Sequence, residues 1–146
     1  MNTMILFRHA ARLLLGITFF IGACNGFLYG SGMQPIMPAN PEIIAVFQGS
    51  NAWLLMLKTV ELACSLLLLS SRLVLPALIA LAPIVLGIAV VHATLDPGFL
   101  PAAGLIFGLE SYLLYIYGKR GIEERQWKRE ARKHSGKRGI RNIGPF

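Results

Sequence analysis

The run WLLMLKTVELACSLLLLSS, from Trp53 to Ser71, constrains the fold more than any other stretch. It is long enough to cross a bilayer, yet it carries Lys58, Glu61, Cys64 and Ser65 among its leucines. At about 100° per residue, Lys58, Glu61 and Ser65 fall on one face of a helix and most of the leucines spread over the rest. A carboxylate near mid-bilayer costs about 2.5–3.5 kcal/mol on insertion scales, so Glu61 is expected to point into protein and to have a partner. Lys58, one turn away, is the nearest opposite charge.

The rest of the chain points the same way. Of its 146 residues 55% are hydrophobic and only 14% charged, too apolar for a soluble domain of this length. The formal charge of +7 is local: residues 119–146 hold ten Lys/Arg against three Glu, and the remainder is balanced. Cys24 and Cys64 sit inside apolar segments without CxxC or metal-ligand spacing, so neither a disulfide scaffold nor a metal site is expected.

Four apolar segments, about 13–29, 53–71, 73–94 and 99–117, are each long enough at about 1.5 Å per residue to cross a core of about 30 Å with their flanks. Backbone polar groups find no water in lipid, so these must be helices. The expected fold is all-α: an integral membrane four-helix bundle over residues 1–118, followed by a basic tail, 119–146. Short joints at 71–73 and 95–98 force antiparallel neighbours. Arg8, Arg12, Arg72 and the tail share one side, while the other two loops carry Glu42 and Asp96, which places both termini in the cytoplasm.

Several features read as packing. Thr18, Gly22, Gly26 and Gly30 form a small-residue stripe that lets a helix approach closely, and Gly104 and Gly108 repeat the device, so an oligomer is one outcome. Glu110 lies off that second stripe and faces another neighbour, a partner or a cavity. Pro83 is expected to kink its helix. In the first outer loop, 31–51, Asn40 and Pro41 suit the start of a short interfacial helix reaching Phe47. Arg8 and Arg12 ahead of LLLGITFF and Cys24 also resemble a lipoprotein signal, in which Cys24 would be lipidated after cleavage; the stripe continuing past Cys24 favours a retained helix. The tail suits anionic lipid at about 1 kcal/mol per basic residue, and without a recognition fold it does not indicate nucleic acid.

Counting at about 1.5 Å per residue, Asn25, His92, Lys58, Glu61 and Glu110 all fall in the outer half of the bilayer. Glu61, Lys58 and His92 are therefore the candidate catalytic residues, and Arg12, Asn25 and Glu110 candidate ligand-binding residues of a small site open to the outside. The plainer reading of the same residues is an i,i+3 ion pair, a helix–helix hydrogen bond at Asn25 and an interfacial His92.

The ordered set Arg12-Leu-Leu-Leu-Gly16 with Phe19 and Gly22, Lys58-Thr-Val-Glu61 with Ser65-Leu-Leu-Leu-Leu69 and Arg72, and Pro76, Pro83 and His92 before Asp96-Pro97 resembles the DoxX-like membrane proteins over about residues 8–117. The resemblance implies a four-helix protein of the bacterial cytoplasmic (inner) membrane. Some members of that family are subunits of quinone-linked sulfur-oxidising enzymes or partners of redox and oxidative-stress proteins; most have no assigned activity. Here Asn25 stands where members often have Lys, and Ser65 where a Gly commonly follows the Glu.

Three functions compete. The first is a redox-associated subunit that binds a quinone or small lipophile, with Glu61 as proton acceptor, Lys58 as its counter-charge and His92 as hydrogen-bonding group. No haem, flavin or metal motif is present, so its electrons would come from a redox partner protein. The second is a non-enzymatic assembly protein whose polar layer only sets helix register. The third is a small proton-coupled transporter, which the lack of matching polar residues between the two halves disfavours.

Overall fold

A computed structural model describes residues 3–37, 40–47 and 51–140, and among them there are helices and turns but no strand. The helices are α1 (Thr3–Gly30), α2 (Pro41–Phe47), α3 (Asn51–Leu69), α4 (Val74–Leu95) and α5 (Leu100–Ile140), with a 3-10 turn at Pro97–Phe99 ahead of α5. Four spans are long and apolar enough to cross a membrane: Thr3–Gly30, Asn51–Leu69, Val74–Leu95 and Pro97–Glu123.

The side-chain pattern is that of a bundle solvated by lipid. In the apolar core of each span only 17–28% of residues are buried inside the protein. Large apolar side chains such as Leu14, Met56, Leu66, Ile79, Leu86 and Leu105 instead face outward. Apolar surface on that scale needs a non-aqueous neighbour. The chain reads as a multi-pass membrane protein.

Inside the bundle, Leu15, Phe19 and Ala23 of α1 recur every fourth residue and meet the α3 face that carries Leu54, Glu61, Cys64, Ser65 and Leu68. Leu78, Leu81 and Val85 of α4 and Leu113 of α5 complete the core. Neighbours run antiparallel. The start of α1 meets the end of α3 through Arg12 and Leu68, and its end meets the start of α3 through Gly30 and Asn51. Phe7 packs edge-on against Tyr112 at 5.2 Å, and the Arg8 guanidinium lies 5.7 Å from the centre of the Tyr117 ring, which pairs the start of α1 with the middle of α5.

Short signals set the helix ends. Gly32, with φ 74°, closes α1: its amide bonds the Tyr29 carbonyl and the Met33 amide the Leu28 carbonyl, so carbonyls that α1 itself cannot pair are satisfied. The end of α3 uses the same motif without glycine, Ser71 taking φ 61° while the Arg72 amide bonds Leu67. Asn40 accepts the Glu42 amide at 2.9 Å and caps α2, as Asn40 and Pro41 imply.

Helix α4 continues through Pro83, which stands inside it. Helix α5 runs unbroken from the apolar span to Ile140, so the basic segment continues the last span as helix, with no proline to end it. The last six residues of the expected tail lie outside the described residues.

Candidate functional site

The site is built from the polar face of α3. Lys58 and Glu61 stand one turn apart, and the Lys58 ammonium donates to both carboxylate oxygens, to Oε2 at 2.8 Å and Oε1 at 3.0 Å. Glu61 is 2% exposed and Lys58 19%. A buried carboxylate with a two-point cationic partner is electrically self-contained, which makes it tenable in a low-dielectric interior.

The pair forms part of the wall of a cavity of about 450 Å³ between α1, α3, α4 and α5. That volume falls in the usual range for small-molecule sites, about 300–1,000 Å³. Phe19 and Ile21 of α1, Ile88 of α4, Phe99 and Ile106 line it with apolar surface. Its polar side chains are Thr18, Lys58, Glu61 and His92. His92 is held on two sides: Nδ1 lies 2.8 Å from the Ile88 carbonyl, and Phe99 packs against the ring at 6.3 Å between centres. A carbonyl oxygen can only accept, so the proton of that bond belongs to Nδ1, and Nε2 of the neutral ring is an acceptor.

The loop between α1 and α2 supplies a cover. Met37 lines the cavity, and Asn25 fastens it there by accepting the Met37 amide at 2.9 Å and donating to the Met37 carbonyl at 3.2 Å. The loop between α1 and α2 thus closes part of the cavity.

Of the six candidate site residues, the structure gathers Lys58, Glu61 and His92 around one cavity and sets the other three apart. Arg12, 5% exposed, donates to the Leu68 carbonyl at 2.8 Å and to the Ser71 hydroxyl, closing the end of α3 about two turns from Glu61. Asn25 spends its amide on Met37. Glu110 is 3% exposed, and its Oε1 has no hydrogen-bond partner among the described residues. It lies one turn beyond the cavity-lining Ile106 on the same face of α5.

Two contributors are absent from the sequence-based site. Thr18 and Gly22 read as members of a packing stripe, yet both line the cavity; only Gly26 and Gly30 of that stripe press on α3. A Cβ on Gly26 would lie 2.5 Å from Lys58 Cδ, so the bare backbone makes the channel along which the Lys58 stem runs to Glu61. The i,i+4 spacing of Gly22 and Gly26 signals closeness without saying what comes close.

Among the described residues no group of three or more His, Cys, Asp or Glu is placed to hold a metal. Comparison with protein-family models, curated proteins and solved structures finds no match.

Proposed function

We propose that this chain is a DoxX-like protein of the bacterial inner membrane, with both termini cytoplasmic, that binds a quinone or similar small lipophile and serves as a redox-associated membrane subunit. The observation that carries the reading is the buried Lys58–Glu61 pair set into the wall of an apolar cavity. A pair needed only for helix register gains nothing from a cavity beside it, whereas a ligand head needs polar groups at one place in an apolar chamber. Glu61 is the proton-accepting group, Lys58 its counter-charge, and His92 presents Nε2 to the ligand. Electrons pass to or from a partner protein. Arg8, Arg12, Arg72 and the basic part of α5 at one end, against Glu42 and Asp96 at the other, support the orientation.

The test uses menadione and the reconstituted full chain. Gly22 lines the cavity and has no atom within 4 Å of a built Cβ, so Gly22→Leu extends a side chain into free space. Saturable menadione binding that Gly22→Leu and Glu61→Gln both abolish supports the proposal. Absence of saturable binding, or binding indifferent to both substitutions, refutes it.

One further observation favours the assembly reading as the runner-up. Helix α5 continues for 41 residues, and Gly104 and Gly108 on its exposed face have no neighbour within 4 Å of a built Cβ, leaving room for another helix. Deleting residues 119–146 separates the two: loss of function with the bundle still folded selects assembly.

A further inference from the structure

Each polar side chain lining the cavity has a definite hydrogen-bonding capacity left over once its partners inside the protein are counted. Lys58 has three N–H donors, and two are engaged by the Glu61 oxygens. One remains. The Thr18 hydroxyl donates to the Leu14 carbonyl at 2.8 Å, so what it has left is lone pairs. His92 gives its Nδ1 proton to Ile88, leaving the Nε2 lone pair of the neutral ring. Glu61 is an acceptor throughout. Helical peptide groups along the walls are paired internally and add nothing.

The sum is lopsided: one free donor against acceptors at Thr18 Oγ1, His92 Nε2 and Glu61. A ligand head with only a carbonyl can satisfy Lys58 and nothing else. A hydroxyl head satisfies both sides at once, its oxygen accepting from Lys58 and its proton going to His92 Nε2 or Thr18 Oγ1.

Resting on the reading of this cavity as a ligand site, we infer that it selects lipophiles whose polar head donates a hydrogen bond, phenolic hydroxyls above all. His92 is the discriminating residue and Thr18 the second acceptor. Phe99, in contact with the His92 ring, fits the same class, because an aromatic ligand body meets an aromatic wall at the end where its hydroxyl must sit.

The experiment compares 2-naphthol with 2-methoxynaphthalene, which share one apolar body and differ in the donor. Binding to the purified full chain is measured by equilibrium dialysis, in the wild type and in His92→Phe, Thr18→Val and Gly22→Leu. The inference expects 2-naphthol to bind at least about tenfold tighter than its ether, an advantage that shrinks to about twofold or less in His92→Phe and falls partway in Thr18→Val. Gly22→Leu should exclude both. Should His92→Phe not fold, Thr18→Val carries the test, since it keeps the side-chain shape and exchanges the hydroxyl for a methyl group. Equal binding of the two probes overturns donor selection while leaving the cavity a lipophile site. A naphthol preference that survives both His92→Phe and Thr18→Val overturns the assignment of the receiving atoms. Failure of both probes to bind wild type overturns this inference, and menadione binding then decides the proposed function separately.

Discussion

Glu61 and Glu110 are buried to the same degree, 2% and 3% exposed, but Glu61 accepts from Lys58 on both oxygens while Glu110 Oε1 has no hydrogen-bond partner among the described residues. Two acidic residues of one bundle therefore stand in opposite energetic positions. Removing one partner of a buried pair leaves an uncompensated charge and costs about 3–5 kcal/mol, whereas replacing an unsatisfied buried group by an apolar one of similar size is neutral or favourable. Thermal unfolding in detergent should show Glu61→Leu strongly destabilised and Glu110→Leu unchanged or more stable by about 1–3 kcal/mol. A large loss for Glu110→Leu would mean that Glu110 has a donor the bundle itself supplies.

The Gly26 contact makes a second, independent demand on the ion pair. A methyl group at position 26 would meet Lys58 Cγ, Cδ and Cε at 2.5–2.6 Å, and moving the stem aside disturbs the ammonium seated on Glu61. Gly26→Ala is expected to destabilise by about 1–3 kcal/mol, the range for a side chain forced into a filled site. In a Lys58→Ala background the same substitution should cost little, so a double-mutant cycle should give coupling of at least about 1 kcal/mol. Additive effects would exclude a shared origin.

At the other end of α3, Arg12 stands in for a cap. Its guanidinium takes the Leu68 carbonyl and the hydroxyl of Ser71, a residue held at φ 61°. Arg12→Met should cost about 1.5–3 kcal/mol, the value of hydrogen bonds from a charged donor. Ser71→Gly trades one hydrogen bond for relief of a left-handed conformation, each worth about 1 kcal/mol, so its melting temperature should stay close to wild type. Equal losses in the two variants would contradict that balance.

The Asn25 latch is open to hydrogen exchange. The Met37 amide donates to Asn25 Oδ1 and to no backbone group among the described residues. Asn25→Ala should speed exchange at Met37 and its neighbours while leaving the α3 core amides unchanged, because only the cover of the cavity is released. Unaltered exchange at Met37 would show that the loop is held by something else.

The apolar runs and the basic segment were enough to announce four membrane-crossing helices, the Asn40 cap of α2 and the Lys58–Glu61 pair, since each depends on neighbours within a turn or on the bilayer itself. What Arg12 and Asn25 do was not legible there. Both polar side chains meet backbone groups of distant segments, at Leu68 and Met37, and a peptide carbonyl leaves no mark in the residue types. The same holds for the division of the stripe on α1, where Thr18 and Gly22 open onto the cavity and Gly26 and Gly30 press on α3. Periodicity says which residues share a face. Only the way helices lean against one another decides whether that face meets a side chain, a main chain or empty space.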